Sequence, residues 1–234
     1  MRRLSVLFSL MAALVVTGCS SQSEEVNVYS ARKEALIKPL LDRFTSETGI
    51  TVNLITGSAD ALVERMKAEG EHSPADVLIT TDAGRLYRAQ QEGQLATTES
   101  DTLAEQVPEA LRDPEGHWYG LSVRARVVVY APDRVDPSEL STYEALADEK
   151  WDDRICIRSS DNIYNQSLTA SLIAHNGEAD TEQWAEGLVS NMARDPVGGD
   201  RDQIKALAAG ECDIAVVNTY YLGMMQGGDD ADAR

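Results

Sequence analysis

A chain of 234 residues with a hydrophobic fraction of 43% is long enough for one large domain or two small lobes. Its formal net charge of −18 gives a surface that repels nucleic acid and anionic membranes, which argues against both as partners. Acidity alone does not argue cation binding, since it equally serves solubility.

The first residues read as a targeting segment. Arg2 and Arg3 form a basic start, and 4–16 form an apolar stretch of signal-peptide length, too short for a membrane span. Val16-Thr17-Gly18-Cys19 then matches a bacterial lipobox, in which the cysteine takes the lipid. The expected organisation is a signal peptide over 1–18 and a lipid-anchored tether over 19–25, with Cys19 as the only contact with a membrane.

After the tether the pattern alternates. A strand is expected at Val26–Tyr29. A helix over Glu34–Thr48 would carry Leu36, Ile37, Leu40, Leu41 and Phe44 on one face and stop at Gly49. A strand over Thr51–Ile55, a helix over Ala61–Glu69 capped by Asp60, a strand over Asp76–Ile79 and a helix over Ala83–Glu92 follow. This order predicts a parallel sheet covered by helices. Residues 95–117 are polar and turn-rich. Leu121–Tyr130 reads as a long strand, followed by punctuation at Pro132 and Pro137. A second block holds a strand at Arg154–Ile157, helices near Gln166–Asn176, Glu182–Asn191 and Gln203–Ala209, and a strand at Asp213–Val217. The expected fold class is therefore α/β, with two lobes (26–122 and 132–226), a crossover strand (123–131), a cleft between the lobes and a tail (227–234).

Tyr220 and Tyr221 directly follow one predicted strand, and Tyr164 follows another and precedes a helix. Parallel sheets bind ligands at such strand ends. Cys156 and Cys212 each lie eight residues before a tyrosine, so a disulfide would pin the two strands side by side; two buried thiols are the alternative. Clustered phenols suit a hard trivalent cation, whose field ionises a group that otherwise holds its proton to about pH 10. Core packing or a sugar-stacking platform would use the same residues. Arg124 and Arg126, two apart on a strand, share a face on which a carbonate or another anion can sit. His72, His117 and His175 show no ligand spacing, and neither Cys-x-x-Cys nor HExxH occurs. Gly198-Gly199 before Asp200 reads as a helix-entry turn. Ser30-Ala31-Arg32-Lys33 and Ser160-Asp161-Asn162 match two of three serine acyl-transferase motifs, but the third, K-T-G, is absent.

Several stretches, in order along nearly the whole mature chain, resemble the iron(III)-binding periplasmic proteins of bacterial ABC importers, a transferrin-like family. They include 26–32, 55–57, 120–127, Asn162-Ile163-Tyr164-Asn165-Gln166-Ser167 and Asn218-Thr219-Tyr220-Tyr221-Leu222-Gly223. The resemblance implies a two-lobed type II binding-protein fold that captures Fe³⁺ outside the cytoplasmic membrane as a monomer. It implies hand-over to a membrane permease, with no enzymatic step. Tyr164, Tyr220 and Tyr221 would be the iron ligands, and Arg124 would hold a synergistic anion such as carbonate, with Arg126 its neighbour. Where many relatives place a first-lobe ligand, this chain has Lys33 and Glu34, and only Glu34 could ligate. Relatives also continue beyond the tyrosine pair, so the chain is expected to be C-terminally truncated. The alternatives are a binding protein for an oxyanion or polyamine and, more remotely, acyl transfer through Ser30.

Overall fold

The structure is a computed structural model and describes residues 24–227. The signal peptide, Cys19, most of the tether and nearly all of the tail lie outside the described residues. The chain is α/β, and its described residues divide into two compact units after Thr81.

The first unit builds a parallel sheet in the order β2-β1-β3 from β1 (Glu25–Ser30), β2 (Thr51–Thr56) and β3 (Val77–Ile79). Helices α1 (Glu34–Thr48) and α2 (Ala59–Glu69) supply the connections, as parallel pairing requires. Gly49 ends α1 at φ 78°, a left-handed position that glycine takes without steric cost, and its N–H bonds Thr45 O. α2 starts earlier than its periodicity suggests: its cap is Ser58, whose side chain accepts the Ala61 N–H, rather than Asp60. Tyr29, Leu62 and Met66 are buried together between the sheet and α2, and Val28 and Val63 are buried as well. The apolar residues of α1 behave differently, with Leu36 54% and Leu40 63% exposed.

The second unit opens with α3 (Ala83–Gln91), capped by Asp82. Asp82 also accepts the Ser167 hydroxyl at 2.9 Å, which ties α3 to the helix carrying Ser167. The segment expected to be irregular contains a short helix, α4 (Asp101–Gln106). The expected strand over 121–130 forms only as β4 (Arg126–Tyr130). Leu121 and Val123 stay 77% and 72% exposed, because those residues find no sheet neighbour.

Strands β4, β5 (Ile155–Cys156) and β6 (Ile214–Asn218) form a mixed sheet in the order β4-β6-β5. β6 runs antiparallel to β4 and parallel to β5. Every residue of β6 is buried, as expected for a strand covered on both faces. Its side chains alternate between two cores. Ile214 and Val216 meet Trp151, Leu172, Trp184 and Leu188 on the side of α5 (Ile163–Asn176) and α6 (Glu178–Ser190). Ala215 and Val217 meet Ile204, Ala206 and Met225 on the side of α7 (Asp200–Ala209) and α8 (Thr219–Gly227). Each large apolar side chain so buried contributes about 1.5–3 kcal/mol. At the start of β6, the Asp213 carboxylate accepts from Arg134 Nε and Arg154 Nε, both at 2.7 Å. Cys156 and Cys212 form a disulfide with a Cα–Cα distance of 5.8 Å, so a covalent link joins the β5 and β6 segments. Among the described residues no helix is long and apolar enough to cross a membrane.

Candidate metal centre

All three tyrosines singled out by the sequence lie in first turns of helices. Tyr164 is the second residue of α5, where the sequence reading places it before a helix. The Asn162 side chain caps α5 by accepting the Tyr164 N–H at 3.0 Å, which sets the direction in which Tyr164 leaves the backbone. Tyr220 and Tyr221 are the second and third residues of α8, a helix the sequence reading missed. Backbone N–H groups in a first turn lack intrahelical partners and carry the positive end of the macrodipole. A phenolate there is favoured by about 0.3–1 kcal/mol per helix end.

The fold brings Tyr164 and Tyr220 together, with their hydroxyl oxygens 3.5 Å apart. Tyr220 and Tyr221 stack at a tilt, ring centroids 4.2 Å apart and planes at 36°. Tyr221 also packs against the core beneath β6. Burial pushes the Tyr220 phenol above its ordinary value; a hydrogen bond with Tyr164 pulls the other way, and one with Tyr221 adds to the rise. Tyr220 therefore keeps its proton at neutral pH until something positive enters the site.

Two guanidinium groups flank Tyr164. Arg124 lies 5.4 Å from the ring centroid and Arg158 5.7 Å. Arg124 is placed by the chain next to it, where the Ala125 carbonyl accepts the Thr219 N–H that opens α8. Arg158, which the sequence reading passed over, sits in the loop between β5 and α5. Its signal was present as a charged residue directly after a strand end.

Arg126, at the start of β4, is held by buried partners. Arg126 Nη1 bonds Asp200 Oδ2 at 3.1 Å and Asn218 Oδ1 at 3.2 Å, and Nη2 bonds Val216 O at 3.1 Å. Its side chain is 8% exposed, and burial pulls its pKa down against the raising effect of Asp200.

Glu34 opens α1 in the other unit and is exposed. Ser30 is fully buried and its hydroxyl accepts the Arg32 N–H, so it is not available as a nucleophile. His117 is not isolated: Nδ1 lies 2.9 Å from Asp113 Oδ2 and Nε2 lies 3.4 Å from Thr97 Oγ1. Burial pushes the Asp113 carboxyl up, but hydrogen bonds from His117, Gln90 and Glu115 outweigh it and hold the net value below the usual carboxylate range. This network fixes the loop over 113–118.

The profile described as bacterial extracellular solute-binding protein matches residues 72–232. Iron uptake protein A1 of Synechocystis sp. is 51% identical over 209 residues, covering 89% of this chain and 58% of the relative. Iron uptake protein A2 of the same organism is 47% identical, covering 97% of this chain and 64% of the relative. The chain thus spans roughly three fifths of these relatives' length. Among solved structures, the Trichodesmium IdiA (FutA) protein in complex with iron and citrate superposes with a TM-score of 0.86 at 52% identity. That match covers 89% of this chain and 66% of the other. The ferric binding protein from Campylobacter jejuni superposes with a TM-score of 0.82 at 37% identity, covering 89% and 67%.

Proposed function

The chain belongs to the bacterial extracellular solute-binding proteins, and from that premise we propose that its solute is ferric iron, held by phenolates. The observation that carries the reading is the 3.5 Å approach of the Tyr164 and Tyr220 hydroxyls, with Tyr221 stacked on Tyr220. Tyr164, Tyr220 and Tyr221 supply three hard anionic oxygens, the donor type a trivalent hard cation prefers. Their three negative charges neutralise Fe³⁺. The iron's own field ionises the phenols it meets. Arg124, beside Tyr164, holds a synergistic carboxylate or carbonate. The names of the relatives support this reading, among them iron uptake proteins and a structure containing iron and citrate.

The protein acts without covalent chemistry. It captures Fe³⁺ outside the cytoplasmic membrane and delivers it to an ABC permease, working as a monomer anchored through the lipid on Cys19. Equilibrium dialysis against ferric citrate, with bound metal counted by mass spectrometry, tests the reading. One iron per chain is expected, together with its loss in Tyr220→Phe. Retention of iron by Tyr220→Phe at full affinity would remove the phenolate site from the account.

A further inference from the structure

Asp200 lies where the tyrosine-bearing segments meet. It is the first residue of α7, and its side chain is fully buried. Oδ2 accepts the Asn218 backbone N–H at 2.8 Å and Arg126 Nη1 at 3.1 Å. Oδ1 accepts Arg158 Nη1 at 3.3 Å. Arg126 closes the circuit on Asn218 Oδ1 and Val216 O. Asn218 ends β6 two residues before Tyr220, and Arg158 faces the ring of Tyr164. One carboxylate therefore binds the segment that delivers Tyr220 to the segment that delivers Tyr164.

A buried ion pair is by itself weak evidence of stabilisation, since apolar residues often fill such a place as well. Location and directionality argue for a different role here. Asp200 engages three donors from three places in the chain, two of which, Asn218 and Arg158, adjoin Tyr220 and Tyr164. Two guanidiniums share this one carboxylate, so the cluster keeps an excess positive charge beside Tyr164. An apolar replacement would supply neither the directional contacts nor that balance of charge.

We propose that Asp200 is a positioning residue for the phenol site. It fixes the end of β6 and the guanidinium of Arg158 in one arrangement, and so sets how Tyr164 and Tyr220 face each other. Its consequence for iron rests on the ferric reading above, whereas the positioning itself is readable without metal.

The test uses the full chain, solubilised in detergent and labelled with ring-¹³C tyrosine, as wild type, Asp200→Asn and Asp213→Asn. Asp213 is a comparable carboxylate with two arginine partners at the other end of β6, so its variant reports what merely loosening β6 does. In metal-free protein, Asp200→Asn should displace the Tyr164 and Tyr220 ring signals and leave the exposed Tyr87 in place. Asp213→Asn should leave all three near their wild-type positions. With ferric citrate added, Asp200→Asn should lose about tenfold to a hundredfold in affinity, the usual effect of removing a partner that orients metal ligands. Unmoved Tyr164 and Tyr220 signals in Asp200→Asn, or equal displacement in Asp213→Asn, would overturn the proposal. A wild type that takes up no iron would sink the ferric reading, while the metal-free signals would still decide the role of Asp200. Should Asp200→Asn fail to fold, Asp200→Glu keeps the charge and misplaces it by one methylene. The same two signals should then move less but measurably, and their staying put would count against the proposal.

Discussion

Tyr220 shows how a single side chain sets the behaviour of the site. Burial raises its pKa above the ordinary phenol value of 10.0, so at neutral pH Tyr220 holds its proton, and in the proposed ferric site iron must displace it. Affinity for Fe³⁺ should therefore fall by about tenfold per pH unit for each phenol proton released. Titrations at pH 7 and pH 5 should differ by at least two orders of magnitude on that rule, and a flat profile would contradict phenolate binding. The same raised pKa favours the fold in the opposite range. A neutral buried phenol contributes stability that is complete below the unfolded value, about pH 10, and is lost as pH rises through the folded one. At this scale much of the site was legible. Tyr220 and Tyr221 stand out because they directly follow a predicted strand, and Tyr164 because it lies between a strand and a helix; the structure brings the Tyr164 and Tyr220 hydroxyls together and stacks Tyr221 on Tyr220. The pairing of Arg126 with Asp200 was not legible, because alternation along a strand tells which face a residue takes but not which buried partner waits there. Asp200 was invisible because Gly198-Gly199-Asp200 reads as a helix entry, and nothing local announces that two arginines from distant segments converge on it.

Elements carry a second class of consequence. The disulfide between Cys156 and Cys212 spans a sequence separation of 56 residues, and closing a loop of that size should stabilise the fold by about 4 kcal/mol. Urea unfolding of the double variant Cys156→Ser/Cys212→Ser should show that loss, and an unchanged midpoint would argue that the link carries no load. In α6, a Cβ on Gly187 would stand 2.7 Å from Ala147 Cβ and 3.1 Å from Ala147 O. Glycine to alanine inside a helix ordinarily stabilises. Here Gly187→Ala should instead cost about 1–3 kcal/mol through overpacking, a sign that denaturant melts can read directly. Most strands and helices were legible to within a few residues, because hydrophobic period and capping chemistry are local. α8 was not, since its apolar residues show no helical stripe, and its first turn coincides with the tyrosine pair that drew attention as a binding motif. The strand expected over 121–130 was too long because apolar alternation at Leu121 and Val123 records compatibility with a strand, while pairing requires a neighbour.

For the whole molecule, the α/β class and the parallel first sheet follow from the alternation of strands and helices. The described residues divide into compact units after Thr81. α3 belongs with the later unit because Asp82 bonds Ser167 and the backbone of Gly84 lies against Ile163, whose Cδ1 would be 3.4 Å from an added Cβ. Such contacts link residues some eighty positions apart, which periodicity cannot show. The second unit contains the phenol cluster, its flanking guanidiniums and the disulfide. The central claim is that this arrangement binds ferric iron through phenolate oxygens, and visible absorption spectroscopy tests it most directly. On addition of ferric citrate and bicarbonate to the full chain, a phenolate-to-iron charge-transfer band should colour the protein orange to red and disappear in Tyr220→Phe. A chain that is folded by far-ultraviolet circular dichroism yet colourless with iron, or one whose band survives Tyr220→Phe unchanged, would contradict the claim.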